Sequence, residues 1–267
     1  VPGVPNWESD GYNETENKLI QRMIETEQTV LQMHAHGEYT STVVRYPYVY
    51  GPASVINPEW HVIKRSLDGR RRWLMPGGGL GLTTRCAAPN AAHTIALCLD
   101  RPEAAGGQVY TAADDRQYTF REWTEMIARA VNYEFEYVDV PWSLFPQRRG
   151  AFLGTLSSVP QGGGPREHSV VSNQKAKLEL GYADVVEPEQ WMRVVVDYLL
   201  ENPPLVDGVG NHLKPESFDY ETEDQILAWW DAATLDAPYD TAATVVETRH
   251  PYAHPKAPGE EREGSGT

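Results

Sequence analysis

The sequence predicts an α/β fold, and three features carry that prediction. Segments with apolar residues at helical spacing alternate along the chain with short runs rich in β-branched and aromatic residues. Glycine and proline fall between the two kinds of segment, where the chain must turn. Hydrophobic residues make up 40% of the 267 positions, enough for a sizeable core. Such alternation is the pattern of β-α units built on a parallel sheet.

Residues 1–16, VPGVPNWESDGYNETE, are rich in Pro, Gly and acid and predict a loop. From Lys18 the pattern changes. Leu19, Ile20, Met23, Ile24, Val30 and Leu31 recur at helical spacing, and Gly37 ends the helix. The run STVVRYPYVYGP, residues 41–52, combines β-branched Val43 and Val44 with Tyr46, Tyr48 and Tyr50, and predicts one buried strand stopped by Gly51 and Pro52. PEWHVIKRSLD, residues 58–68, is a short helix opened by proline. RRRWLMP predicts a strand, and GGGLG, residues 77–81, a turn. LTTRCAAPNAAHTIALCLD reads as a short strand entering a helix with Ala91, Ile95, Leu97 and Cys98 inside.

GQVYTAA is a further strand, and TFREWTEMIARAV a helix that Thr119 and Glu122 open as a capping box. EFEYVDVP is a strand with alternating faces. Residues 147–168, rich in Gly, Pro and Arg, predict a mobile loop. NQKAKLELGY is a short helix stopped by Gly181, EPEQWMRVVVDYLLENPP a long one ended by a proline pair, and YETEDQILAWWDAA a last one with Trp229 and Trp230 for packing. The tail 236–267 turns to Pro, Gly and charge and predicts disorder. There are no internal repeats.

Charge excludes some partners. With 23 basic and 38 acidic residues the net charge is −15, which argues against a broad nucleic-acid or anionic-membrane surface and leaves room for a small basic pocket. The basic run KRSLDGRRR, residues 64–72, reads either as a site for an anionic group or partner, or as a solvated helix end. Cys86 and Cys98 sit in one apolar segment and read as reduced core residues, the cytosolic pattern. No apolar run is long enough to span a bilayer and no signal peptide is visible, so the expected place is the cytoplasm. The chain opens on Val, which reads as a processed or truncated copy of something longer. His34 and His36 fall on different helix faces, and no zinc or Ser-His-Asp spacing occurs, so no metal site is expected.

VVRYPYVYGP resembles the strand-to-loop signature of the extended short-chain dehydrogenase/reductases, the NAD-dependent epimerase/dehydratase family. The pattern Arg-x-x-x-x-Tyr-Gly-Pro is here Arg45, Tyr50, Gly51 and Pro52. Four later blocks agree in order and spacing. GGGLGLTTRCAAPNAAHTIALCLDRP is similar to the family's Gly-rich turn, Arg and following helix, and GGQVYTAADDRQYTFREWTEMIARAV to its next strand and helix. NQKAKLELGY resembles its Lys-Ala-x-x-x-Leu-Gly segment, and EPEQWMRVVVDYLLENP its last amphipathic helix. The resemblance covers residues 17–204. It implies a Rossmann-like parallel sheet, here partial, with a smaller C-terminal α/β substrate-binding region. Residues 17–235 would be the C-terminal portion of such a domain. It also implies NAD or NADP as cofactor and a small-molecule substrate that is sugar-like or nucleotide-linked.

Two departures qualify that implication. The family's first β-α turn carries Gly-x-x-Gly-x-x-Gly, which lets a pyrophosphate approach a helix N-terminus. This chain has no such turn, and GGGLG follows an internal strand and opens no helix. The family's catalytic pair is Tyr-x-x-x-Lys on the helix before the quoted strand. With Glu27 on the family's helix acid, Leu19 falls on the tyrosine position and Met23 on the lysine position. The catalytic groups are therefore unknown.

The resemblance implies that the backbone of Pro47, Tyr48 and Val49 lines the cofactor, with Tyr50, Asn57, Trp60 and Arg85 toward substrate. Each position has a plainer reading. Pro47 to Val49 would be a buried strand end, Asn57 a helix cap, Arg85 a surface salt bridge and Arg45 a structural ion pair. Asn90 stands where the family usually has Asp. Three functions stay open: an NAD(P)-dependent epimerase, dehydratase or reductase with atypical catalytic groups; a non-catalytic dinucleotide-binding or scaffold protein on the same fold; and an assembly subunit docking on a second copy or a partner chain.

Overall fold

A computed structural model describes residues 5–12, 15–54, 56–141, 168–205 and 218–235. The predicted loop at 147–168, apart from His168, and the tail 236–267 lie outside the described residues. The chain divides into two compact units, Val1–Trp230 and Asp231–Thr267, and every described strand belongs to the first.

Helix α1 (Lys18–Ala35) opens where the Asn17 side chain accepts hydrogen bonds from the amides of Leu19 and Ile20 at 2.9 and 3.4 Å. Gly37 follows its end with φ 78°, a conformation that suits glycine. The run after it forms two strands where the sequence predicts one, β1 (Val43–Arg45) and β2 (Tyr48–Tyr50). Pro47 has no amide hydrogen to give a ladder, so pairing breaks there. The chain changes partner across the break. β1 pairs in parallel with β6 (Val109–Thr111), while β2 pairs in parallel with β5 (Arg85–Ala87). β3 (Arg72–Leu74) runs parallel to β8 (Glu136–Val138), and β4 (Leu82–Thr83) antiparallel to β7 (Tyr118–Thr119).

The remaining helices are α2 (Glu59–Leu67), α3 (Ala88–Asp100), α4 (Pro102–Ala105), α5 (Phe120–Ala130), α6 (Gln174–Leu180), α7 (Pro188–Glu201) and α8 (Tyr220–Thr234). The capping box of α5 forms as expected: the Glu122 amide donates to Thr119 Oγ1 at 3.1 Å, and the Thr119 amide donates to Glu122 Oε2 at 2.8 Å. The main core joins α2, α5 and α7. Ile63, Ile127, Met192 and Val196 are fully buried there with Tyr50 and Trp73. Each such aliphatic side chain stabilises the fold by about 1.5–3 kcal/mol.

Two packing expectations fail. Ile95 is 46% exposed, because the inward stripe of α3 runs through Ala91, Thr94 and Cys98. Thr94 takes the inner place by donating its hydroxyl to the Asn90 carbonyl at 3.0 Å. Trp229 is 51% exposed, while Trp230 packs on Leu74, Val140 and Leu227. Cys86 and Cys98 are free, buried thiols.

The basic run is largely a clamp on α8. Arg65, buried over the Trp73 ring at 4.7 Å, donates to Glu223 Oε2 at 2.7 Å. Glu223 Oε1 also accepts from the Leu74 amide at 3.2 Å. Arg70 pairs with Asp224, and Lys64 with Asp68, which accepts from the Tyr220 hydroxyl at 2.7 Å. Arg72 faces Glu136 at 3.2 Å.

Candidate functional site

The carboxyl ends of β1 and β6 open into a cavity of about 270 Å³. Arg45, Tyr46, Pro47 and Thr111 line it from the strand ends, and Asn6 and Ser169 from segments that cover them. The amino-terminal stretch is held here by specific bonds. Glu8 Oε1 accepts from the Thr111 amide at 2.8 Å, and the Asn6 amide donates to the Val170 carbonyl at 2.8 Å. Ligands of open α/β sheets bind at such strand ends.

Arg45 is committed within the protein. Its Nε and Nη2 donate to Glu27 of α1 at 3.1 and 2.5 Å, and its guanidinium lies 5.2 Å over the Tyr12 ring. The bond to Glu27 raises the arginine's pKa further, so the group stays charged. The Tyr12 hydroxyl donates to the same carboxylate at 2.8 Å, and burial together with that bond raises the phenol's pKa. The structural ion pair foreseen for Arg45 is therefore present, with Glu27 as its partner.

Beyond Pro47 the chain turns inward. Tyr48 sits opposite Arg85 in the β2–β5 ladder, and Arg85 stacks 4.1 Å over Trp123 and 5.7 Å over Tyr48. Arg85 is 1% exposed, so it is not a surface salt bridge. Its Nε and Nη1 have no hydrogen-bond partner among the described residues. Burial lowers its pKa, against the pull of Glu59.

Glu59 opens α2 and is also fully buried. The Tyr48 hydroxyl lies 2.9 Å from the Ile56 carbonyl oxygen and 3.0 Å from Glu59 Oε2. A phenol has one hydrogen, and a carbonyl only accepts. The single hydrogen of Tyr48 is shared between two acceptors, the Ile56 carbonyl and Glu59 Oε2. Burial pushes the Glu59 carboxyl up, against the opposing effects of a backbone hydrogen bond, Arg85 and Tyr48.

Val49 packs beside Cys86, Ala91 and Ala112. Tyr50 is fully buried, edge-on to Trp123 at 4.8 Å, and donates to Asp114 Oδ2 at 3.0 Å. Asp114 Oδ1 accepts from the Ala87 amide at 2.8 Å and from Asn90 Nδ2 at 2.7 Å. Asn90 Oδ1 in turn accepts from the Val185 amide at 2.8 Å. An asparagine here both donates and accepts, a role that an aspartate could not fill. Trp60 lies in the core, 6% exposed. Asn57 does not cap α2 with its side chain; its amide donates to the Ser54 carbonyl at 2.9 Å and closes the loop after Pro52.

The structure thus brings Pro47 to the cavity, groups Tyr48 with Arg85, ties Tyr50 to Asp114, and holds Asn57 in a loop. Glu59 and Asp114 are side chains that sequence reasoning missed. Each is an acid set against apolar residues at an element's end, in PEWHV and YTAAD, and that was the available signal. Leu19 and Met23 lie on the outside of α1, 67% and 63% exposed. Among the described residues no cluster of His, Cys, Asp or Glu could hold a metal, and no helix is long and apolar enough to cross a membrane.

Parallel strand pairs with helices between them, and side chains gathered at their carboxyl ends, define a Rossmann-like α/β protein with the fold of the NAD-dependent epimerases and dehydratases. The particular likenesses are to solved structures of that kind. The chain is similar to UDP-glucose 4-epimerase with UDP-glucose from Thermotoga maritima, at 20% identity and TM-score 0.55, over 76% of this chain and 60% of that one. It is similar to DesIV, a dTDP-glucose 4,6-dehydratase from Streptomyces venezuelae with NAD bound, at 16% identity and TM-score 0.54, over 76% and 56%. It is also similar to RMD from Pseudomonas aeruginosa complexed with NADPH, at 15% identity and TM-score 0.53, over 73% and 59%. The chain therefore spans between 56% and 60% of the length of these structures, and at such identities the likeness shows the fold. No family model matches the sequence, and no curated protein matches it.

Proposed function

We propose that this chain works in an NAD(P)-dependent epimerase, dehydratase or reductase whose substrate is sugar-like or nucleotide-linked, and whose catalytic groups differ from the family's tyrosine and lysine. The observation that carries the reading is the cavity at the carboxyl ends of β1 and β6, with Pro47 on its wall. It occurs in a fold shared with structures that hold NAD or NADPH.

At about 270 Å³ the cavity falls just below the range typical of small-ligand sites, so it fits one end of a dinucleotide. The polar side chains of Asn6, Arg45 and Ser169 suit a nicotinamide and its ribose, whereas the pyrophosphate would need a glycine turn that this chain does not carry. When bound, the nicotinamide supplies hydride transfer. In this reading the residues of the chain bind and orient. The Pro47 backbone, followed by Tyr48 and Val49, shapes the cofactor side, and Glu27 fixes the Arg45 guanidinium at the cavity wall. Asn57, in the loop after Pro52, belongs to the substrate side, whereas Tyr50, Trp60 and Arg85 are buried in the interior, where Tyr48 donates to Glu59.

The test is to express the full reading frame that encodes this chain and to titrate NADH and NADPH by fluorescence. Saturable binding of one of them is expected. No binding at millimolar cofactor removes the reading. Leu19 and Met23, apolar and exposed, favour a second reading, a non-catalytic dinucleotide-binding or scaffold protein on this fold. Turnover of a nucleotide sugar by the unmodified protein would rule that reading out.

A further inference from the structure

Four arginines converge on an open groove of about 820 Å³ at the amino-terminal ends of β3 and β8. Arg71 comes from the turn before β3, Arg121 and Arg129 from α5, and Arg193 from α7. Tyr133 and Tyr137 line the same groove. Arg71 lies 5.9 Å over the first ring and Arg121 5.1 Å over the second. Asn132, at φ 52°, turns the chain out of α5 and delivers Tyr133.

The charges do not cancel locally. Arg121 is answered by Glu125 at 2.8 Å, and Arg129 by Glu189 at 3.2 Å. Arg71 and Arg193 have no ion pair among the described residues. Arg71 is also a member of the basic run that the α8 clamp leaves unused, since Arg65 and Arg70 hold that helix and Arg72 faces Glu136. Glu125 and Glu134 line the groove and Glu189 reaches Arg129 from beside it, so four guanidinium groups there face three carboxylates. This happens in a chain whose net charge is −15.

We propose that this groove binds a small phosphorylated anion with at least two negative charges, gripped by Arg71 and Arg193 and lying against Tyr133. Two unpaired planar forks match two phosphate groups, and guanidinium binds phosphate oxygens in pairs. The acidic remainder of the molecule repels a long polyanion such as a nucleic acid, which selects a small ligand. The groove stands at the amino ends of one strand pair, whereas the Arg45 cavity stands at the carboxyl ends of another. Binding here therefore goes beyond the proposed function and does not depend on it.

The experiment is calorimetric titration of the unmodified chain with inorganic tripolyphosphate, without NAD(H), at low and at physiological salt. One-site binding that weakens with salt is expected, and Arg71→Gln with Arg193→Gln should weaken it at least about tenfold. Both side chains are exposed, so the thermal midpoint of the double variant should stay near that of the parent; Arg71→Lys with Arg193→Lys, which keeps charge and loses the forks, should bind between the two. Arg22→Gln, an exposed arginine on α1, should bind as the parent does. A parallel titration with a nucleoside triphosphate distinguishes a nucleotide from free polyphosphate: tighter binding that Tyr133→Ala abolishes marks the nucleotide. Absence of saturable binding at millimolar tripolyphosphate, or equal weakening by Arg22→Gln and the double variant, would overturn the proposal.

Discussion

Glu59 and Arg85 show how much chemistry a single buried position can carry. Both are almost fully buried, and the Tyr48 hydroxyl has two oxygen neighbours and one hydrogen. Glu59 is one of those two neighbours, and it accepts from the phenol. Its folded pKa is raised by burial above the ordinary 4.5, so the stability it contributes is fully present below that value and is lost as pH rises through the folded pKa. Glu59→Gln keeps a hydrogen-bond acceptor for Tyr48 and cannot ionise. Urea unfolding across the pH range should find the variant at least as stable as the parent at neutral pH, with the parent's deficit growing as pH rises. A deficit that grows toward acid would contradict a raised pKa at Glu59. Arg85 illustrates the limit of reading residues singly. Its sequence position suggested a substrate contact or a surface ion pair, and only the packing of Trp123 and Tyr48 reveals a cation enclosed by aromatic rings.

At the scale of elements, the order of helices and strands was legible in the sequence because periodicity and capping act locally. Thr119 with Glu122, and Gly181 at φ 67°, mark helix ends from neighbouring residues alone. The division of the tyrosine-rich run at Pro47 was readable in principle, since proline cannot donate to a ladder. That β1 then joins β6 while β2 joins β5 depends on residues sixty-six and thirty-seven positions away, beyond any local signal. The same holds for the clamp of α8, whose partners are 158 positions apart in Arg65 and Glu223. Glu223→Ala would leave Arg65 buried and unpaired, at a cost of about 3–5 kcal/mol. Removing the solvent-exposed Asp224 carboxylate should cost no more than about 1 kcal/mol. Denaturant midpoints of the two variants check the contrast, and equal losses would refute the buried clamp.

For the whole molecule, the resemblance carried by VVRYPYVYGP anticipated the fold that the solved epimerases and dehydratases share. The position of the cavity was only half anticipated. Pro47 lines it, but its other wall comes from Asn6 and Ser169, in segments remote in sequence from the strand they cover. Nothing local in NWES or HSVV announces that meeting, because it depends on the parallel bridge between Asn6 and Val171. The central claim is that this covered strand end is where a nicotinamide dinucleotide is held. Hydrogen exchange read by mass spectrometry, with the full-length protein at saturating NADH or NADPH and without it, tests that claim most directly. The account predicts slowed exchange in peptides spanning Arg45 to Val49 and Ser169 to Val171. Unchanged exchange in both, with protection confined to other segments, would contradict it.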